Sequence, residues 1–411
     1  MRSYLFGVFK PHPAEILGLN GIRSIAYFMV IYSHFYRSYE ALGVVNPRQW
    51  ANNFLMNGSL CMDAFFVLSG FLIGGQLFRE VREKGHLEFR KFFVKRVLRI
   101  FPPYYIFLIL QYVVLTSIAG ATTDARLQNE IHAGLDRIVF DFAYLTDYFR
   151  GIMVHGWSLS VEEKFYLLLP FSLLLLQKIK RPSMQLSVLG ALFFVPMLIR
   201  IGTFYSLAHH GVITFEQYNQ YFYYPFHSRL DSLVLGVLFA GFYSHYPERI
   251  KRYLTSNLSS IIAGLGTAVL LLIMFLTNEK EPGLFTASMR LTVAALAWLA
   301  IILLCFKENS VARKFLSFRP FVPIARLSYC GYIIHLLLLG VIAGKIVGQQ
   351  AVTYTQIAIW TIPIGLIIMG FAYLYYLFAE RPFLYLKEKL FGRRPAVDRL
   401  ETRQSGDAAT A

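Results

Sequence analysis

Long apolar runs alternate with short polar breaks along the whole chain. An α-helix needs about 20 apolar residues to cross a bilayer, and several of these runs reach that length. They fall near residues 21–39, 59–78, 100–120, 157–176, 185–207, 226–244, 257–277, 285–306, 325–346 and 354–378. The expected fold class is therefore all-α: a polytopic membrane helical bundle of about ten transmembrane helices. Residues 1–390 would form one transmembrane domain. Residues 391–411 read as a polar, disordered cytoplasmic tail with too little apolar surface to pack. No repeat relates the two halves of the chain.

Charge orients this bundle. Basic residues gather in alternate breaks: Arg79, Arg82, Lys84, Arg90, Lys91, Lys95, Arg96 and Arg99 in the first, then 178–181, 249–252, 313–326 and the tail after Arg381. Lysine and arginine are retained on the cytoplasmic side, so these loops and both termini are expected inside, facing anionic lipid. The opposite loops, 37–58, 121–156 and 208–225, are less basic and rich in tyrosine. The formal charge of +16 follows from this dispersal between spans, which argues against nucleic acid. A hydrophobic fraction of 56% and a mean hydropathy of +0.49 exceed what a soluble core needs. Cys61, Cys305 and Cys330 sit in apolar stretches without metal-ligand spacing, so no metal is expected. Residues 4–9 are too short an apolar run for a signal peptide.

Within the spans, ionisable residues stand out because they are costly there and by default mark function. Arg23 and His34 share one helix. Eleven residues place them roughly 16 Å apart on nearly the same face. Asp63 opens the second span, followed by the small residues Ser69, Gly70, Gly74 and Gly75, which suit close helix packing. Arg96 and Arg99, three apart, share a face before Pro102, where the helix is expected to break. Two guanidiniums at the mouth of a bundle suit phosphate, although the loop taken alone favours topology signalling and lipid headgroup contact. Ser158 or Ser160 can cap the fourth span, and Glu162 or Glu163 can complement its dipole. One of the two glutamates is expected to turn inward toward His34 or Arg23. Arg229 and Asp231, two apart, do not face each other on a helix. His335 reads as a hydrogen-bonded structural histidine.

Taken together, several stretches resemble the acyltransferase-3 family of integral membrane acyltransferases. They are Leu19-Asn-Gly-Ile-Arg with His34, Met62-Asp-Ala-Phe-Phe-Val-Leu-Ser-Gly-Phe71, Arg96-Val-Leu-Arg-Ile-Phe-Pro102, Trp157-Ser-Leu-Ser-Val-Glu-Glu163, Arg229-Leu-Asp231, Ser328-Tyr with His335, and Glu380-Arg-Pro. Order and spacing agree over nearly the entire chain. Cys61-Met-Asp departs from the Gly-Val-Asp common in relatives but keeps the carboxylate. No extracytoplasmic hydrolase-like domain is present in the sequence, so a stand-alone member is expected.

The resemblance implies transfer of an acyl group, commonly acetyl, from cytoplasmic acyl-CoA to a hydroxyl of a carbohydrate, lipid-linked sugar or small hydroxylated acceptor. It implies an integral protein of the plasma membrane, the inner membrane in a bacterium. His34 would be the general base, oriented by Glu162 or Glu163. Arg23, Arg96 and Arg99 would bind the donor, Asp63 would position an acceptor or a partner basic group, and Trp157 and Ser160 would contact the acceptor. A proton-coupled transporter can use the same His, Glu and Arg residues. Transporters usually show repeated halves, which are absent here.

Overall fold

The computed structural model describes residues 2–11, 15–40, 48–209, 211–307, 310–346 and 352–392. Ten long helices carry it: α1 (Leu17–Glu40), α2 (Met62–Lys84), α3 (Phe89–Ala121), α4 (Trp157–Gln177), α5 (Pro182–Ala208), α6 (Phe226–His245), α7 (Asn257–Leu276), α8 (Arg290–Leu303), α9 (Phe321–Ile346) and α10 (Tyr354–Tyr375). No strand occurs among the described residues. The chain is thus an all-α helical bundle. The polar tail from residue 393 onward lies outside the described residues.

Seven segments, containing α2, α3, α5, α7, α8, α9 and α10, are long and apolar enough to cross a membrane by length and composition. The remaining three helices are α1, α4 and α6, of 24, 21 and 20 residues. Each of them carries several charged residues: Arg23, Arg37 and Glu40 on α1, Glu162 to Lys164 on α4, Arg229 and Asp231 on α6. Charge lowers their hydropathy, and the same charge is tolerated where a helix faces protein rather than lipid.

α2 packs on α6, α6 on α5, α7 on α8, and α9 on both α1 and α10. The α2–α6 contact depends on two glycines. A Cβ at Gly70 would strike the Leu233 carbonyl, and one at Gly236 would strike the Val67 carbonyl. The backbones therefore touch, as small residues permit inside membranes. This contact brings Asp63 of α2 against Arg229 of α6 at 2.9 Å, both fully buried. Other buried ions are paired likewise. Arg200 binds Asp231 at 2.8 Å, while Glu279 binds both Arg290 at 2.9 Å and Arg37 at 2.7 Å.

Two local expectations are corrected. α3 does not break before Pro102 but runs through Pro102 and Pro103 for 33 residues. Membrane helices accept proline where neighbours satisfy the exposed backbone. Here Pro102 and Pro103 lack the N–H groups that would meet the carbonyls of Leu98 and Arg99. The stretch is tied to neighbouring helices by Tyr329, which donates to the Ile100 carbonyl at 2.8 Å, and by Tyr375, which donates to that of Pro103. Second, residues 138–156 do not stay at the end of the bundle. They fold back along α3, so that Tyr104, midway along it, donates to the Asp141 carbonyl at 2.9 Å, and Tyr105 to that of Phe142 at 2.9 Å.

Irregular backbone this far along a bundle must have its polar groups met by protein. The Asp141 carboxylate accepts from the amides of Ile152 (2.8 Å) and Met153 (3.1 Å). Gln111 donates to the Ile152 carbonyl at 3.1 Å, and Lys164 to that of Tyr144 at 2.7 Å. Gly151 is required here, since any Cβ would overlap the Asp141 carboxylate. The returning segment delivers Tyr144 and His155 into the interior.

Candidate functional site

Two polar centres lie along α1. The first is built on His34, whose Nδ1 meets Nε2 of His335 on α9 at 3.1 Å. The other nitrogen of His335 lies 2.5 Å from the Tyr332 carbonyl. A carbonyl only accepts, so His335 Nδ1 carries its proton. With both rings neutral, His335 Nε2 is an acceptor and His34 Nδ1 donates to it. That assignment, inferred from the hydrogen-bond pattern, leaves the lone pair of His34 on Nε2. His34 is half-buried and keeps accessible surface, whereas His335 is fully buried.

A third ring, His155 from the returning segment, stands 5.0 Å from His335. Its Nε2 donates to the Ile333 carbonyl at 2.8 Å, which leaves the buried Nδ1 as an acceptor with no partner among the described residues. Tyr332 links the parts: it stacks on His335 at 5.3 Å and its hydroxyl meets Ser158 at 2.7 Å and the His155 carbonyl at 3.0 Å. Three imidazoles together suggest a metal, but no group with metal-holding geometry occurs among the described residues. Both nitrogens of His335 are already engaged.

The second centre lies nearer the start of α1. Arg23 shares an electrostatic neighbourhood with Arg99, Tyr166 and Glu162. Glu162 accepts from Ser69 at 2.6 Å, and the Ser69 hydroxyl also meets Tyr166 at 3.2 Å. Arg96 lies over the Tyr166 ring at 5.3 Å and acts on both Glu162 and Glu163. Glu380, which accepts from the Cys330 thiol at 3.1 Å, adds a third carboxylate beside Arg99. Arg23, Arg96, Arg99, Glu162 and Glu163 all keep some accessible surface. Guanidiniums drawn together in a low-dielectric interior favour an anion between them.

The expected residues therefore divide. Arg23, Arg96, Arg99, Glu162 and Glu163 converge. His34 joins His335 rather than either glutamate: no hydrogen bond or ion pair links it to Glu162 or Glu163 among the described residues. Asp63, Trp157 and Ser160 are buried in scaffold contacts. Asp63 holds Arg229 and accepts from Ser232 at 2.6 Å. Trp157, Phe66 and Tyr223 box the Arg229 guanidinium at 5.7, 5.3 and 4.8 Å. Ser160 meets the Thr146 hydroxyl at 2.7 Å and ties the returning segment to α4. Neither Ser158 nor Ser160 caps α4, whose N-cap is Gly156. Sequence reasoning passed over His155, and it left His335 as a structural ring.

A bundle whose charged helices turn inward around a histidine pair and an arginine cluster defines a membrane-embedded protein with an enzyme-like interior. A family model described as an acyltransferase domain matches residues 16–377, and the chain belongs to that acyltransferase-3 family. The chain is 27% identical over 333 residues to the O-acetyltransferase OatA of Staphylococcus aureus strain NCTC 8325, covering 79% of this chain and 50% of the relative. A second S. aureus relative, from strain COL, is 26% identical over 393 residues, covering 93% of this chain and 59% of its own length. The chain thus spans about half the length of these relatives. No solved structure matches it.

Proposed function

We propose that the chain is an integral membrane O-acyltransferase. It takes an acyl group, acetyl by the name of its relative OatA, from acyl-CoA and passes it to a hydroxyl of a carbohydrate, lipid-linked sugar or small hydroxylated acceptor. The observation that carries this reading is the contact of His34 Nδ1 with His335 Nε2 on a half-buried ring, which with the tautomer assigned above leaves the Nε2 lone pair of His34 for a substrate proton. His34 Nε2 takes the acceptor's hydroxyl proton as its oxygen attacks the thioester carbonyl. The carbon–sulfur bond breaks, and CoA leaves as a thiolate that receives the proton back from the imidazolium. His335, fixed on the Tyr332 carbonyl, orients the base as a neutral partner. Arg23, Arg96 and Arg99 bind the donor's phosphates, with Glu162 spacing the guanidiniums. No metal takes part in this scheme.

The donor site has a direct test. Replacing Arg96 and Arg99 together by Gln is expected to weaken CoA binding at least tenfold in a calorimetric titration, because bidentate charge-assisted contacts are lost. An unchanged affinity would assign these residues to topology alone.

In the same reading all ten long helices cross the plasma membrane, with both termini and the basic loops in the cytoplasm. Exposed Tyr221 on the opposite side then offers an aromatic ring to a sugar acceptor. Cysteines placed at Lys84 and Lys314 should react only with membrane-permeant maleimides in whole cells, and one at Glu216 with impermeant reagents. Labelling of position 84 from outside would invert the orientation.

A further inference from the structure

Tyr144 lies where the returning segment meets α3 and α4, and its backbone is held in an unfavourable conformation. Its φ is 52°, the one positive φ of a non-glycine residue among those described. A bulky residue occupies that region only when its surroundings enforce it, and such outliers cluster at functional sites. The enforcement is visible. Lys164 donates to the Tyr144 carbonyl at 2.7 Å while paired with Asp147 at 2.5 Å. The ring stacks on Tyr104 at 4.3 Å and on Phe101 at 5.5 Å. At 7% exposure it is locked in place.

The hydroxyl delivered by this strain bonds to nothing among the described residues. Oε1 of Glu163, in the same electrostatic neighbourhood, is also buried without a partner. One of these atoms can donate and the other can accept, and leaving either unmet in a low-dielectric interior is costly. A ligand that satisfies both must offer an acceptor and a donor. A phosphate offers acceptors only, and an acyl chain offers neither. A hydroxyl offers both from a single atom, whereas a secondary amide offers them on opposite edges, C=O and N–H, and so can meet two separate side chains at once. Glu163 also lies in the field of Arg96, the proposed phosphate site. The donor's arm begins at those phosphates, so its first groups fall in the neighbourhood of Glu163 and Tyr144.

We infer that Tyr144 and Glu163 hold a secondary amide of the acyl donor's pantetheine arm, with the phenol donating to the amide carbonyl and the carboxylate accepting from its N–H. This rests on the acyl-CoA reading above and gives Glu163 a substrate-binding role apart from His34. Tyr144→Phe removes only the hydroxyl, which has no protein partner, so thermal stability should not change. CoA binding, titrated calorimetrically in detergent-solubilised full-length protein, should weaken about tenfold. Binding of adenosine bisphosphate, which has CoA's nucleotide without the arm, should be the same in both proteins. Glu163→Leu should show the same selectivity for CoA over the nucleotide. Equal CoA affinity in wild type and Tyr144→Phe would overturn the assignment, as would a parallel loss for CoA and nucleotide. A wild-type protein that binds no CoA would instead remove the donor reading, and this assignment with it.

Discussion

Asp63→Ala is expected to destabilise the protein by about 3–5 kcal/mol, because it strands a guanidinium in the interior. Arg229 is fully buried, and Asp63 is the carboxylate paired with it, at 2.9 Å. The rings of Phe66, Trp157 and Tyr223 soften the loss through cation–π contact but supply no counter-charge. The loss should appear as a lower thermal midpoint and poor yield in detergent. Replacing both partners, Asp63→Ala with Arg229→Met, should recover most of it, since removing both charges spares the unpaired one. A well-folded Asp63→Ala protein whose only defect is a raised KM for acceptor would return Asp63 to the substrate site.

His34→Ala should lower turnover by roughly 100- to 10,000-fold, the usual range for removing a general base. CoA binding should survive, because the phosphates are assigned to Arg23, Arg96 and Arg99 rather than to the imidazole. His335→Ala should act in the same direction by freeing the His34 ring to rotate and change tautomer. Combining the two should add little, as residues that act as one unit are strongly non-additive. Residual activity that merely tracks the amount of folded protein would make the pair structural.

The helices were legible because apolar runs of membrane length have few alternative structures, and the ionisable residues of α1 and α4 stood out against them. Their partners were not legible. His34 and His335 are 301 residues apart, and only the packing of α9 on α1 joins them. Glu162 or Glu163 was the natural guess for orienting His34 because a carboxylate usually fills that place, but neither bonds it among the described residues. Ser69 on α2 engages Glu162 instead, through a contact set by α2 packing against α4. The returning segment was hidden for another reason. Residues 138–156 have no periodicity, and what draws them into the bundle is a set of side-chain bonds to isolated carbonyls. The run of α3 through Pro102 and Pro103 was missed because the local rule for proline takes no account of packing against distant helices, from which Tyr329 and Tyr375 reach this stretch.

The most direct measurement follows the acyl group. Purified wild-type protein and His34→Ala, matched for folded content and for CoA affinity, are given acetyl-CoA labelled in the acetyl carbon. Labelled product is then separated from labelled donor, with a hydroxylated sugar present and absent. Wild type should move label to the sugar, or release it slowly to water without one, and His34→Ala should do neither above background. Transfer by His34→Ala at the wild-type rate, or no loss of label from acetyl-CoA with either protein, would contradict a histidine-dependent acyltransferase.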